Sequence, residues 1–206
     1  SDGVGGAVIA WVDNRSGTGY YGIVAQRINA AGVVQWTADG VAIILETGVP
    51  IEFPSPPKIV SDGAGGTIIT WQHGFFIFGK IVAQRINAAG VVQWTADGVV
   101  ISNAAGGQFS PKIISDGAGG AVITWRGLPN INNDIYAQRV NAAGVVQWTA
   151  DGVAISTAAN DQSNPAIVSD GAGGAVIAWE DERSGTTSDI YAQKIGWNGF
   201  LGDGSP

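Results

Sequence analysis

The sequence predicts an all-β fold, a β-propeller of four tandem four-stranded blades of about 54 residues each. Three observations predict it. Ser-Asp-Gly recurs at Ser1, Ser61, Ser115 and Ser169, with spacings of 60, 54 and 54 residues. The seventeen residues Ala25 to Val41 return unchanged at Ala83 to Val99, and return at Ala137 to Val153 with Val140 in place of Ile. The central apolar run of each repeat shows no polar alternation, so its strand is covered on both faces. The repeats fall at about 1–56, 57–110, 111–164 and 165–206, within one domain.

Each repeat opens on a Pro-led strand, Pro111 to Ile114 or Pro165 to Val168. Proline suits a strand start, where its missing N–H is not needed. Ser-Asp-Gly-x-Gly-Gly then turns the chain, because Gly and Asp tolerate positive φ. The second strand is Ala7–Trp11, matched by Thr67–Trp71, Ala121–Trp125 and Ala175–Trp179. The third is represented by Asp134–Val140, closed by an Asn-Ala-Ala-Gly turn. The fourth is placed at Val145–Trp148, ahead of a looser Ala-Asp-Gly-Val-Ala-Ile segment. No segment has a capped 3.6-residue apolar period, so no helix is expected. Radial blades bury both faces of every sheet against their neighbours, whereas a sandwich leaves one face wet. Repeat 1 lacks its first strand, which gives fifteen strands where four complete blades need sixteen. A closed four-bladed ring is the first expectation. The alternative is half of a larger propeller, completed by another chain or by residues outside this one.

Composition narrows the function classes. Apolar residues are 45% and charged residues 13%, which excludes a highly charged disordered chain. Ten Lys and Arg against seventeen Asp and Glu give −7, and there is no basic tract, so neither nucleic acid nor an anionic membrane is expected as partner. No apolar run approaches the length of a membrane-spanning helix. There is no Cys for a disulfide or a thiolate, and the absence of Met suggests a processed or excised piece.

The pattern Ser-Pro, Ser-Asp-Gly, Trp-Glu-Asp-Glu-Arg-Ser-Gly and Asp-Ile-Tyr, as it stands across residues 163–191, resembles the blade repeat of TolB-like bacterial propellers. The resemblance covers all four repeats and implies the propeller fold. Repeats 2 and 3 depart from it, lacking the Asp-x-Arg-Ser-Gly loop of Asp13–Gly17 and Asp181–Gly185.

Candidate chemistry is sparse. His73 is the one histidine and would have to serve any Ser-His-Asp or metal-histidine site, yet no partner set stands beside it in sequence. Most acids repeat identically, which argues for a structural duty in each blade. Asp2, Asp62, Asp116 and Asp170 form a possible Ca²⁺ ring, set against ordinary Asp-Gly turn chemistry, which is preferred. No other metal or cofactor is expected. Trp11, Trp71, Trp125 and Trp179, with Trp36, Trp94 and Trp148, are read as core, although indoles also stack on sugars. Arg27, Arg85, Arg139 and Lys194 are expected to pair with repeated carboxylates such as Asp39 or Asp97.

These readings predict a non-enzymatic binding or scaffold module of a secreted or cell-surface bacterial protein, with a protein partner or a second copy of itself. A carbohydrate-binding, lectin-like propeller is the alternative. The variation between repeats collects in the loops joining strand two to three and strand four to the next blade. Leu45, Ile51 and Phe53 in one loop, and His73, Phe75, Phe76 and Phe78 in another, are predicted to form the partner-binding patch.

Overall fold

The computed structural model describes residues 1–15, 21–44, 55–74 and 78–202. They form fourteen strands in four antiparallel sheets, one per repeat, with no α-helix among the described residues. Sheet 1 holds β1 (Ala7–Asp13), β2 (Gly22–Ile28) and β3 (Val41–Ile44). Sheet 2 holds β4 (Lys58–Ser61), β5 (Thr67–His73), β6 (Lys80–Ile86) and β7 (Val99–Ser102). Sheet 3 holds β8 (Gly107–Ser115), β9 (Ala121–Leu128), β10 (Asp134–Val140) and β11 (Val153–Ser156). Sheet 4 holds β12 (Gln162–Ser169), β13 (Ala175–Asp181) and β14 (Asp189–Ile195). Strands follow chain order within each sheet, as in a propeller blade.

The fourth strand lies later than the sequence suggested. Val34, Val92 and Val146 make only single bridges, to Ile28, Ile86 and Val140. The ladder to the third strand is made by Val41–Ile44, Val99–Ser102 and Val153–Ser156 instead. The reason is local. Gln26, Gln84 and Gln138 each accept from the following Trp N–H and donate to a Thr carbonyl, which folds the intervening stretch into a knot beside the strand. Trp36, Trp94 and Trp148 are thereby lifted out of the sheet and pointed at the next one.

Three apolar clusters hold sheet to sheet. The first joins Ile23, Ala25 and Ile44 to Ile69, Trp71 and Val82. The second joins Ile68, Ile81 and Ala83 to Ile123, Trp125 and Val140. The third joins Val122, Ile135 and Ala137 to Ile177, Trp179 and Ile195. Burial of these wholly enclosed Ile and Trp side chains stabilises the array by roughly 1.5–3 kcal/mol each. The outward faces of sheets 1 and 4 remain open. Ile9 is 50% exposed and Ile190 is 74% exposed, whereas their repeats Ile69, Ile123, Ile81 and Ile135 are fully buried.

A repeated polar rivet crosses each junction. Trp36, Trp94 and Trp148 Nε1 donate to the carbonyls of Ala88, Ala142 and Trp197, at 3.0–3.1 Å. Arg27, Arg85 and Arg139 Nη1 donate to the same three carbonyls. The near-identity of the repeats here has a steric cause. A Cβ on Gly90 would lie 2.8 Å from the Trp36 ring of the preceding sheet, and one on Gly66 would lie 2.3 Å from the Ile86 carbonyl oxygen. Neither position admits another residue without moving backbone or a buried indole.

Candidate functional site

The arginines pair with the turn aspartates, not with Asp39 or Asp97. Asp62 Oδ1 accepts the N–H of Ala64 and Gly66 at 2.8 Å, while Oδ2 accepts Arg85 Nε and Nη2 at 3.0 and 2.9 Å. Asp2–Arg27 and Asp116–Arg139 repeat this arrangement, and Lys194 reaches Asp170 at 3.6 Å. Burial pushes the Asp62 carboxyl up, but the Ala64 N–H, Arg85 and the Gly66 N–H outweigh it and hold the group below its ordinary value. Asp2, Asp62, Asp116 and Asp170 are thus committed to their own sheets. No cluster of three metal-ligating side chains occurs among the described residues.

Of the predicted partner patch, Leu45, Ile51, Phe53, Phe75 and Phe76 lie outside the described residues. Phe78 is 80% exposed and borders a cavity of about 520 Å³ with Ala104, Gly106, Leu128 and Pro129. His73 ends β5, half-buried, in a separate cavity of about 230 Å³ with Lys80 and Asp97. Burial and the Lys80 charge lower the His73 pKa, and Asp97 opposes them.

Residues that differ from one repeat to the next collect on one rim. At the position after the β-strand tryptophan stand Val12, Gln72, Arg126 and Glu180. Arg126 lies over the Phe109 ring at 4.9 Å. Glu180 accepts Asn164 Nδ2 at 2.8 Å. Asn164 in turn borders a cavity of about 520 Å³, onto which the first strands of sheets 2, 3 and 4 converge through Lys58, Lys112 and Ala166.

A second acidic group sits on the same rim at the junction of sheets 3 and 4. The Gln162 N–H donates to the Asn133 carbonyl and ties the two loops together. Asp161 Oδ1 accepts Asn133 N and Nδ2, at 2.8 and 3.0 Å. The Tyr136 hydroxyl donates to Asp134 Oδ2 at 3.3 Å. Burial raises the Asp134 pKa, the Tyr136 hydrogen bond lowers it, and the Asp161 charge raises it further. Burial and Asp134 push Tyr136 up to about 12, so it stays a phenol and a donor. Asp134, its pKa raised by burial, thus lies beside a second carboxylate, Asp161, that no other repeat carries. Neither Asp134 nor Asp161 was singled out from sequence. The available signal was that Asp161 replaces Gly107 of the preceding repeat.

No family model and no curated protein matches the sequence. Solved structures do match. The endo-arabinase from Bacteroides thetaiotaomicron VPI-5482 is 15% identical, with a TM-score of 0.51 over 97% of this chain and 73% of that one. A Bombyx mori GH32 β-fructofuranosidase is 11% identical, with a TM-score of 0.47 over 95% of this chain and 46% of that one. The endo-arabinase match corrects the functional expectation. A non-enzymatic scaffold or binding module was inferred because most acids repeat identically and no catalytic constellation stands out, yet the architecture is one that a glycoside-cleaving enzyme, an endo-arabinase, uses. At this identity the likeness establishes the fold: all-β, of the propeller type.

Proposed function

We propose that this chain belongs to a glycoside-cleaving propeller, with Asp134 as proton donor on the variable rim. One observation carries the reading: Asp134 is half-buried with a raised pKa, beside the unrepeated carboxylate Asp161. Glycoside hydrolysis needs a protonated carboxylic acid to reach the leaving oxygen and a second, ionised carboxylate on the other side of the sugar. Tyr136, kept protonated, holds Asp134 by its Oδ2. The fold shared with an endo-arabinase supports a carbohydrate polymer as substrate and makes arabinose-containing polysaccharides the first to try. A polymer of that kind is met outside the cell, which agrees with the extracellular location expected from sequence.

The open faces bear on ring size. Ile9 and Ile190 occupy positions that every internal junction buries, and their exposure supports a ring of more than four sheets over a closed four-bladed one. The enzymatic reading is tested by incubating the chain with a polysaccharide panel and measuring new reducing ends. Turnover is expected with at least one arabinose-containing substrate. Asp134→Asn is expected to lower kcat by roughly 10²-fold or more, the usual contribution of a positioned acid. No turnover, or turnover indifferent to Asp134→Asn, overturns the reading.

A further inference from the structure

One aromatic ring stands open on the variable rim. Phe78, two residues before Lys80 opens β6, is 80% exposed. Its counterparts in repeats 3 and 4 are Asn132 and Thr187, so the ring serves no packing duty that the repeats share. Its backbone is nonetheless held in place. Gly74 has φ +90°, and a Cβ there would lie 2.7 Å from the Phe78 carbonyl oxygen. The next carbonyl, that of Gly79, accepts the Gln108 N–H at 3.0 Å, which ties this end of sheet 2 to sheet 3. The cavity of about 520 Å³ beside Phe78 is a cleft between those two sheets. One wall is the connection from β7 to β8, with Asn103 and Gly106, and the other is the end of β9 and the turn after it, with Leu128, Pro129 and Asn130. The walls are locked together at Gly106, where φ is +82° and a Cβ would lie 1.8 Å from the Leu128 carbonyl oxygen. No charged side chain is among the lining residues, and the two side-chain amides, Asn103 and Asn130, are both exposed.

The same loop joins this cleft to the candidate acid. Asp134 pairs with Gly127 across β9 and β10, and Leu128 is the next residue, so the Leu128 and Asp134 Cα atoms lie within about 10 Å of each other. From Asn130 the loop runs on to Asn133, whose backbone and side-chain N–H groups donate to Asp161. The loop thus has the cleft at one end and Asp134 and Asp161 at the other. Resting on the glycoside-cleaving reading above, we infer that this cleft is a subsite for a neutral sugar unit of the polymer, with Phe78 as its platform. A sugar ring presents a face of C–H groups and a perimeter of hydroxyls. The C–H face packs on the open Phe78 ring. The hydroxyls meet the Asn103 and Asn130 amides, each of which can both donate and accept. Mainly apolar walls with a few polar groups that fix orientation are what a small-molecule site requires. An acidic sugar finds no cation among the lining residues to meet its carboxylate.

Binding is measured by isothermal titration calorimetry on Asp134→Asn, so that no turnover intervenes, with its melting temperature checked against the parent. The probes are arabinotriose, xylotriose and trigalacturonate. At least one neutral trisaccharide is expected to bind, and trigalacturonate is expected to bind more weakly. Adding Phe78→Ala is expected to weaken the neutral sugar by roughly tenfold or more, the scale of uncovering one phenyl ring, with the melting temperature unchanged because that ring is exposed. With Asp134 in place, Phe78→Ala is expected to raise KM on the polysaccharide and leave kcat as it was, the mark of lost binding away from the reacting bond. The subsite is overturned if neither neutral sugar binds, if Phe78→Ala binds as tightly as its parent, or if trigalacturonate binds as tightly as the neutral sugars. The two readings fail separately. Turnover that needs Asp134 but shows an unchanged KM in Phe78→Ala overturns the subsite alone, and Phe78-dependent binding without turnover overturns the enzymatic reading alone.

Discussion

Asp62→Ala and Asp170→Ala make the same chemical change in two repeats, but the structure assigns them different costs. The Asp62 side chain is fully enclosed and bonded to two backbone N–H groups and to Arg85 through Nε and Nη2. Removing it strands the two N–H groups and a guanidinium that is 20% exposed and anchored across the junction at the Ala142 carbonyl. Breaking a buried pair by deleting one partner costs about 3–5 kcal/mol. Asp170 keeps the same two backbone bonds, but its cation is Lys194, 3.6 Å away and 45% exposed. A pair this open contributes about 0–1 kcal/mol, so its loss is mainly that of the two turn bonds. At about 2–4 °C per kcal/mol for a chain of this size, Asp62→Ala should lower the melting temperature by on the order of 10 °C. Asp170→Ala should lower it by about half as much or less. The assay is thermal unfolding followed by circular dichroism, with reversibility checked. Equal losses would refute the claim that the arginine rivet couples neighbouring sheets, leaving the Asp-Gly turn as the whole of its contribution.

Three further outcomes follow from the geometry. Trp94→Phe keeps most of the buried ring but leaves the Ala142 carbonyl without its indole donor, and is expected to cost about 1 kcal/mol beyond the lost contact, measured by urea denaturation. Ile135→Ser should destabilise by about 2–5 kcal/mol, whereas Ile190→Ser at the equivalent place in sheet 4 should be nearly neutral; a large loss at Ile190 would mean that its face is covered in solution. The Arg183 hydrogen bond, opposed by burial and aided by the Trp179 N–H, holds Asp181 down to about 2. Its folded value lies below its unfolded one, so its stabilisation is present above pH 3.8 and is lost as pH falls toward 2. Asp181→Asn should therefore show a shallower fall in melting temperature across that window than the parent.

The fold was legible because its determinants repeat. Identical Ser-Asp-Gly turns and unbroken apolar second strands give four sheets, and the burial of both faces of β5 and β9, at Ile68 and Ile69 and at Val122 and Ile123, follows from their lack of polar alternation, whereas β1 keeps Ile9 exposed. The fourth strand was misplaced because Val145–Trp148 carries the stronger β-forming residues. Gln138 nonetheless folds that stretch back, and Val153–Ser156 takes the ladder. A long-range side-chain bond of this kind leaves no local signature. The arginine partner was misjudged for a related reason. Asp39 and Asp97 were plausible acceptors from sequence, but the antiparallel register sets Arg27 opposite Val8 and Arg85 opposite Ile68, at the end of the sheet where the Ser-Asp-Gly turn closes.

The candidate site was the least legible part because Asp161 and Glu180 have no counterpart in the other repeats, while Asp134 has one in Asp189 and so did not stand out. Asp134, Asp161 and Glu180 come from different places in their repeats, and only the docking of Asn133 against Asp161 and Gln162 draws the first two together. One rim is fixed by close approach, as at Gly66 and Gly90, where no substitution fits. The other rim begins where those constraints end, and there the repeats differ at every turn. A single framework can therefore carry, in sheet 2, an indole at Trp71 whose N–H has no partner among the described residues and, in sheet 3, a carboxyl of raised pKa at Asp134 and an arginine over an aromatic ring at Arg126. Function in such a chain is read by subtraction: what the repeats share holds the sheets together, and what one sheet alone possesses is free to meet a ligand.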